Sequence, residues 1–372
     1  MIVEKKIFEM PVLETLSGAT IKQVRVGYET YGTLNADRSN AILICHFFSG
    51  TSHAAGRYAP EDVLPGYWDY LIGPGLAIDT DRYFVISSDT LTNLNAYDST
   101  VTTTGPASID PDTGKPYGMG FPLVTIGDFV RVQKALIDHL GISKLHTVMG
   151  PSMGGLQTYE WAASYPDMMD RIIPVISAAN AGAWLIAWLD VWATPVRLDP
   201  NWRGGDYYGH PSPLEGLKQS LKIVTLQANH WQWANRIHGE AWAVDEVDPV
   251  QALANRYRIE AVLEGAAAPR AALSDANNFL YLIKANQSFI PGMGAGAKTA
   301  AEGLARIKAR TLVLYAPTDQ VFAAEWVRQT AKMIADAGTP VEMAEIEGEF
   351  GHLNGVMAMA PLGARIAAFL AR

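Results

Sequence analysis

Apolar positions along most of the chain predict strands that alternate with helices. Short runs of apolar residues are typical of buried parallel strands, whereas apolar residues three or four apart are typical of helices that pack on one face. We predict strands at residues 24–31, 41–45, 83–87, 145–149, 172–176, 310–315 and 341–346, and helices at 125–140, 155–163 and 323–337. This alternation predicts an α/β fold in which helices flank a mostly parallel sheet.

Residues that break secondary structure separate these elements. Gly141 marks the end of the helix predicted at 125–140. Pro174 lies inside the strand predicted at 172–176, and proline in a strand indicates a sheet edge or a strand end. Residues 90–120 are rich in Thr, Asn and Gly and predict a long loop.

The pattern changes in residues 179–303, which contain seven of the ten tryptophans and no strand-like run. Trp184, Trp188 and Trp192 are four residues apart and therefore share one face of a predicted helix. Three roles are open for that face: packing on the core, packing on a second subunit, or contact with substrate. We expect a helical lid domain at 179–303, inserted into an α/β core domain of residues 1–178 and 304–372.

Composition limits the classes of function. The 372 residues carry a net charge of −9, which argues against nucleic acid as a partner, and 18% charged with 49% hydrophobic residues indicates a globular protein. No run is long and apolar enough for a membrane span, and we expect no membrane association. No signal peptide opens the sequence, so we expect a cytoplasmic protein unless a leader has been removed. Cys45, the only cysteine, ends an apolar run and is predicted to be a buried strand residue rather than a nucleophile.

Ser152 is the strongest candidate for a catalytic residue. Gly150-Pro151-Ser152-Met153-Gly154 fits G-x-S-x-G, a tight turn that holds a nucleophilic serine in strained backbone geometry between a strand and a helix. Such a match arises by chance in roughly one chain in ten of this size. The predicted strand before the turn and the predicted helix after it are the context that the motif requires. A Gly-Ser turn without chemistry is the alternative.

A serine nucleophile needs a histidine to take its proton and a carboxylate to orient that histidine. On this fold the acid and then the histidine follow the serine in sequence, each in a loop after a strand. Asp319 follows the strand predicted at 310–315, and His352 follows the strand predicted at 341–346. Asp319 also precedes a predicted helix, so a role as a helix cap is the alternative for it.

Two backbone N–H groups should stabilise the developing oxyanion. One is expected from Met153, the residue after the nucleophile. The other is expected from the loop after the strand at 41–45, where we choose Phe48.

Gly292 to Thr299 superficially resembles a phosphate-binding loop. It has Ala297 where that motif needs glycine, and the preceding residues 279–285 predict a helix rather than a strand. We interpret it as a flexible connection from lid to core. No His or Cys/His cluster has the spacing of metal ligands, and we expect neither a metal nor a cofactor.

Many short segments resemble the homoserine O-acetyltransferase family of α/β-hydrolases. They are spread over nearly the whole chain: Cys45-His46, Ser52-His53-Ala54-Ala55-Gly56, Ile72-Gly73-Pro74-Gly75, Thr104-Gly105-Pro106, Ser152-Met153-Gly154-Gly155, Glu160-Trp161-Ala162, Asp199-Pro200-Asn201-Trp202 and Gly204-Gly205-Asp206-Tyr207-Tyr208. The resemblance implies a triad of Ser152, His352 and Asp319, with oxyanion donors at Phe48 and Met153. It also implies a homodimer paired through the lid helices and an active site at the end of a tunnel.

The chain departs from the family's transferases where they bind homoserine. The family's Asp after the catalytic His, which holds the amino group, is here Leu353. The family's Arg in a lid helix, which clamps the carboxylate, corresponds without gaps to Leu221, although Lys218 or Lys222 would supply the charge if the register shifts. An ammonium and a carboxylate buried without partners lose several kcal/mol.

Two further departures lie beside the predicted nucleophile. Phe47-Phe48-Ser49 replaces the family's usual Ala-Leu-Thr in the oxyanion loop. Pro151 stands where glycine is usual. We therefore expect Phe47, Leu221 and Leu353 to line an altered, apolar substrate pocket.

The sequence predicts a serine esterase that hydrolyses small-molecule, short-chain acyl esters through an acyl-enzyme. The first alternative is an acyl-CoA-dependent O-acyltransferase acting on homoserine or a less charged acceptor. The second is a non-catalytic binding protein on a hydrolase fold, which retention of all three triad residues argues against.

Overall fold

A computed structural model describes residues 1–372, and its main feature is an eight-stranded sheet. The strands are β1 (Lys6–Glu14), β2 (Thr20–Tyr31), β3 (Ala41–Cys45), β4 (Ile72–Gly73), β5 (Ile78–Asp79), β6 (Phe84–Ser88), β7 (Leu145–Pro151), β8 (Met169–Val175), β9 (Arg310–Tyr315) and β10 (Val341–Glu345). The main sheet has the order β1-β2-β6-β3-β7-β8-β9-β10, and β4 pairs with β5 in a separate two-stranded sheet.

Helices follow most of the parallel strands and fill the long interval between β8 and β9. They are α1 (Ile126–His139), α2 (Met153–Ser164), α3 (Gly182–Leu198), α4 (Leu214–Ala228), α5 (Trp231–Ile237), α6 (Arg258–Leu273), α7 (Ala276–Gln287), α8 (Ala300–Leu304), α9 (Ala324–Asp336), α10 (Asn354–Met357) and α11 (Gly363–Leu370). Short 3-10 turns occur between several of them, including one at Gly351–Leu353.

The predicted α/β fold with a mostly parallel sheet is confirmed. The strands from β6 through β3, β7, β8 and β9 to β10 are parallel, whereas β1 and β2 form an antiparallel hairpin that adds to β6. Strand β1 was not predicted, because its exposed residues leave little apolar signal. Strand β8 lies inside the sheet rather than at its edge, and Pro174 stands next to its last residue, so its proline marks a strand end.

Buried side chains cover both faces of the sheet. In β3, Ile42 and Ile44 belong to one hydrophobic cluster, whereas Leu43 and Cys45 belong to another. Successive side chains of a strand point to opposite faces, so the two clusters lie on opposite sides of the sheet. This double burial explains why β3 is an uninterrupted apolar run.

Local sequence signals fix the ends of α1. The Thr125 hydroxyl accepts from the Asp128 N–H, and the Asp128 carboxylate accepts from the Thr125 N–H at 2.8 Å, which forms a capping box. Gly141 follows the helix with φ of 69°, in the left-handed region that glycine adopts at little cost. The observed helix is one residue shorter at each end than predicted.

Helices and irregular segments, without a strand of the main sheet, occupy the residues expected to form the lid. Along α3 the tryptophan stripe passes from exposed to buried: Trp184 is 60% exposed and Trp192 only 5%. Trp192 packs edge-on against Phe48, at a ring-centroid distance of 5.6 Å. One end of the stripe therefore packs on the core, and the other end is open.

The glycine-rich loop after α7 binds a carboxylate of the protein itself. The N–H groups of Gly292 and Gly294 donate to Glu160 of α2, at 2.6 and 3.3 Å. The Ser164 hydroxyl donates to the same carboxylate at 2.6 Å, and burial raises the pKa of Glu160. The loop is thereby fastened to the helix that follows Ser152.

No single helix is long and apolar enough to cross a membrane. One bent pair of helical segments, Gly351–Met357 with Ala360–Leu370, passes that test by length and composition alone.

Candidate active site

Ser152 stands at the sharp turn between β7 and α2. Its backbone has φ of 58° and ψ of −119°, a strained conformation for a residue with a side chain. A Cβ atom on Gly154 would collide with the carbonyl oxygen of Cys45, and one on Gly155 would collide with the Ser177 hydroxyl. These close approaches explain why the turn requires glycine after the serine.

Ser152, His352 and Asp319 form a continuous hydrogen-bonded chain, although they come from distant parts of the sequence. His352 Nε2 is 2.7 Å from Ser152 Oγ, and His352 Nδ1 is 2.7 Å from Asp319 Oδ2. A carboxylate accepts only, so Nδ1 carries the proton and Nε2 is left to accept from the serine hydroxyl. This is the arrangement in which a serine is activated for attack.

Backbone groups hold the acid of this chain in place. Asp319 Oδ1 accepts from the N–H groups of Val321 and Phe322, at 2.7 and 3.0 Å, so only Oδ2 faces His352. His352 lies in the 3-10 turn after β10, which Gly351 enters with φ of 61°. All three side chains are at most 9% exposed, so the site is largely shielded from water.

Two free N–H groups lie in the segments expected to form the oxyanion hole. Met153 is the first residue of α2, and the first N–H groups of a helix have no acceptor within it. The Phe48 N–H, in the loop after β3, has no hydrogen-bond acceptor within the protein. Both are therefore available to a bound substrate.

A buried polar network supports the loop that carries Phe48. Asp89 accepts from the Ser52 N–H at 2.7 Å, and Lys5 contacts both Asp89 and the Ser52 hydroxyl. Lys5 also forms a salt bridge of 3.1 Å with Glu29. The network therefore joins Lys5, directly before β1, to β2, to the residue after β6 and to the segment after the loop.

Glu29 is the most densely bonded carboxylate in this network. It accepts from the hydroxyls of Tyr31 and Tyr58, at 2.8 and 2.7 Å, and lies 3.0 Å from His53 Nδ1. Burial opposes its ionisation, but the hydrogen bonds and Lys5 outweigh burial and lower the pKa of Glu29 to about 2.

A small apolar cavity of about 60 Å³ opens in front of Ser152. Nine of its twelve lining residues are hydrophobic, and none is an acid, a lysine or an arginine. The lining residues are Phe47, Phe48, Ser49, Ser152, Ile176, Trp192, Val224, Ala228, Val321, His352, Leu353 and Val356. The site therefore offers no charged partner other than the histidine itself.

The structure brings together most of the residues that the sequence singled out. Phe47 and Leu353 line the cavity with Ser152 and His352, whereas Leu221 is fully buried in α4 without lining it. Val224 and Ala228, on the same helix, take part instead. Lys218 and Lys222 are both paired with Glu264, at 2.6 and 2.9 Å, and neither lines the cavity.

The sequence did not predict that Ile176, Val321 and Val356 line the cavity. Ile176 directly follows β8 with φ of 45°, a rare conformation for a β-branched residue. Nothing in an apolar side chain after a strand distinguishes a pocket wall from the core. The signal for Val321 was its position two residues after Asp319.

The remaining candidate ligands and nucleophiles do not form a second site. Cys45 is fully buried, and burial raises the pKa of its thiol. No group of three His, Cys, Asp or Glu side chains is arranged to hold a metal ion.

Comparison with known proteins places this geometry among enzymes. A family model described as alpha/beta hydrolase fold matches residues 40–353. The homoserine O-acetyltransferase of Symbiobacterium thermophilum is 39% identical over 342 residues, which are 90% of this chain and 86% of that protein.

Solved structures of both esterases and acetyltransferases resemble the chain. Esterase E22 is 46% identical with a TM-score of 0.94, covering 99% of this chain and 100% of its own. A homoserine O-acetyltransferase from Bacillus anthracis is 36% identical with a TM-score of 0.94, covering 100% and 98%. The overall fold thus accommodates either activity, and the side chains of the site must decide between them.

Proposed function

The chain belongs to the homoserine O-acetyltransferase family of α/β-hydrolases, and we propose that it is a serine esterase acting on short-chain acyl esters of uncharged alcohols. The observation that carries this proposal is the apolar lining of the cavity in front of Ser152, in particular Leu353 beside His352. The resemblance to esterase E22 along the full chain supports it.

The lack of charged side chains in the cavity argues against homoserine as the acceptor. Its ammonium and carboxylate would enter a cavity that contains neither an acid nor a basic side chain other than His352. Each unpartnered charge would cost several kcal/mol of binding free energy. The two lysines nearest in sequence to the expected clamp are engaged by Glu264, so they do not compensate. Water and neutral alcohols carry no such penalty.

The proposed reaction follows from the hydrogen-bonded chain. Ser152 Oγ attacks the ester carbonyl while His352 Nε2 takes its proton, and the N–H groups of Phe48 and Met153 bind the oxyanion. The alcohol leaves with the proton from His352, which gives an acyl-Ser152 intermediate. His352 then deprotonates a water that attacks the acyl carbonyl, and Ser152 is regenerated as the acid departs.

The size of the cavity limits the acyl group. The centre of a water-sized group can move through only about 60 Å³ of the cavity, and most of the wall consists of aromatic and branched apolar side chains. That space is enough for the reacting part of a short ester and too little for a long acyl chain. We therefore expect activity to fall steeply as the acyl chain lengthens.

The second candidate function is O-acyl transfer from acyl-CoA to homoserine or a less charged acceptor. The named acetyltransferases at 36–39% identity favour it, and the triad serves that reaction equally well. The two functions share an acyl-Ser152 intermediate and differ in the acyl donor, an ester or acyl-CoA, and in the acceptor, water or an alcohol.

One experiment separates the candidates. The purified protein is incubated with a short aryl acetate and, separately, with acetyl-CoA and homoserine, and both products are followed. We expect ester hydrolysis that falls at least about a thousandfold in Ser152→Ala, without a change in thermal stability beyond a few degrees. Efficient formation of O-acetylhomoserine with negligible ester hydrolysis would overturn the esterase proposal.

A further inference from the structure

His46 is a fully buried imidazole that follows β3 directly and makes no hydrogen bond to any of the three triad residues. Its Nδ1 is 2.7 Å from the carbonyl oxygen of Phe47. Its Nε2 is 3.2 Å from the N–H of Thr90 and 3.3 Å from Asn93 Nδ2. The proposed mechanism gives this group no part.

The partners of His46 determine which ring nitrogen carries the proton. The Thr90 N–H can only donate, so Nε2 must be unprotonated and accept from it. Nδ1 then carries the hydrogen and donates to the Phe47 carbonyl. Burial lowers the pKa of His46 to about 4, so this neutral tautomer persists at neutral pH.

The carbonyl that His46 binds belongs to the same peptide group as the Phe48 N–H. A trans peptide is planar, and its C=O and N–H point in opposite directions. The Phe47 carbonyl also accepts from the Gly50 N–H at 2.9 Å. Because two donors bind the Phe47 carbonyl oxygen, the direction in which the Phe48 N–H points is fixed. That N–H is free for a substrate oxyanion.

Neighbouring carbonyls of the loop are held from outside the loop as well. Asn93 Nδ2 donates to the Gly50 carbonyl at 3.0 Å, and Asn95 Nδ2 donates to the Ser49 carbonyl at 3.2 Å. Asn93 thus binds both the loop and the imidazole. The segment that follows β6 therefore binds the carbonyls of both Ser49 and Gly50.

We propose that His46 is a positioning residue, which locks the Phe47–Phe48 peptide so that the Phe48 N–H faces the oxyanion. The inference rests on the proposed function, because Phe48 is its oxyanion donor. Without the His46 bond only the Gly50 N–H holds the Phe47 carbonyl, and rotation of the peptide would present a carbonyl oxygen where the reaction needs a donor. A hydrogen bond on the carbonyl also polarises the peptide and strengthens its N–H as a donor.

Two variants separate the lock from a general contribution to stability. In His46→Asn the side-chain amide nitrogen can occupy the place of Nδ1 and still donate to the Phe47 carbonyl. In His46→Gln the side-chain oxygen can occupy the place of Nε2 and still accept from the Thr90 N–H, but the lock is lost. Thermal unfolding of both variants provides the control for folding.

We expect His46→Gln to lower kcat for a short aryl ester about 100- to 1000-fold with little change in KM, the loss seen when an oxyanion donor is removed. His46→Asn should keep kcat within roughly tenfold of wild type. A trifluoromethyl ketone, which forms an oxyanion on Ser152, should lose affinity for the Gln variant in proportion to kcat/KM. Equal losses in both variants, or an unchanged kcat in His46→Gln, would overturn the proposal.

A measurement on the wild-type protein keeps the inference testable if the variants do not fold. In protein labelled with ¹⁵N-histidine, His46 should carry its hydrogen on Nδ1 throughout pH 6–8, and the opposite tautomer would contradict the lock. If the wild type hydrolyses no ester, the proposed function fails, and the two variants are compared in acylation of Ser152 by acetyl-CoA. The outcomes for the function and for His46 therefore stay distinct.

Discussion

Replacing Glu29 by Gln removes one negative charge from the buried network in which Lys5 joins β2 to the segment after the oxyanion loop. The substitution keeps the size and shape of the side chain, so it creates no cavity. It leaves Lys5 with Asp89 as its remaining acidic partner, at 3.5 Å. The change therefore tests how much the ionised form of this carboxylate stabilises the fold.

The size of the effect follows from the pKa of Glu29, which falls from 4.5 to about 2 on folding. At about 1.4 kcal/mol per pKa unit, ionised Glu29 contributes about 3 kcal/mol to the free energy of unfolding. Because the folded pKa is depressed, this contribution is complete above about pH 4.5 and is lost as the pH falls towards 2. For a chain of this length, such a loss lowers Tm by roughly 4 °C.

Differential scanning calorimetry at a fixed scan rate measures the effect at pH 7 and again near pH 3. We expect Glu29→Gln to unfold several degrees below wild type at pH 7, with the gap narrowing at pH 3. Glu9→Gln is the matched control, since Glu9 pairs with Arg25 on the exposed face of the same hairpin and such pairs contribute less than about 1 kcal/mol. Equal Tm values for wild type and Glu29→Gln at pH 7 would refute the reasoning.

Three further outcomes are expected. Leu353→Asp should depress ester hydrolysis severalfold in steady-state assays, because a carboxylate beside His352 raises the basicity of that histidine. The variant should not acetylate homoserine, because the cavity has no cationic side chain to bind the substrate carboxylate. Gly154→Ala should give little soluble protein on expression, since its methyl group would collide with the Cys45 carbonyl oxygen, and normal yield and activity would contradict this. We propose a homodimer formed through the lid helices, where Trp184 is exposed. Analytical sedimentation at tens of micromolar, roughly the range that reveals weak pairing, should show the dimer, and a monomer at that concentration would refute the proposal.

The elements that sequence predicted well are those with a strong period or a specific turn. Strand β3 was predicted at its observed bounds, because burial on both faces makes every residue apolar. Strand β1 was missed because most of its side chains are exposed and its backbone pairing with β2 is not visible in composition.

The hydrogen-bonded chain of the site could be anticipated because each member has its own local signal: a glycine turn for Ser152, and a strand end for Asp319 and for His352. The residues of the cavity wall could not be anticipated, because nothing in the sequence distinguishes Ile176 and Val356 from other apolar residues. The sequence also did not predict correctly which residues of α4 face the cavity. Leu221 points into the core, while Val224 and Ala228 on the same helix reach the cavity.

In the glycine-rich loop at 292–299, backbone N–H groups that could bind an anion are already bound by a carboxylate of the same chain. Its N–H groups face a carboxylate that is tethered to the same chain, and a tethered ligand is present at an effective concentration of millimolar or more. A dissolved phosphate or nucleotide would have to displace a competitor that never diffuses away. A buried glutamate on an adjoining helix is therefore the feature that identifies a glycine-rich loop of this kind as already occupied.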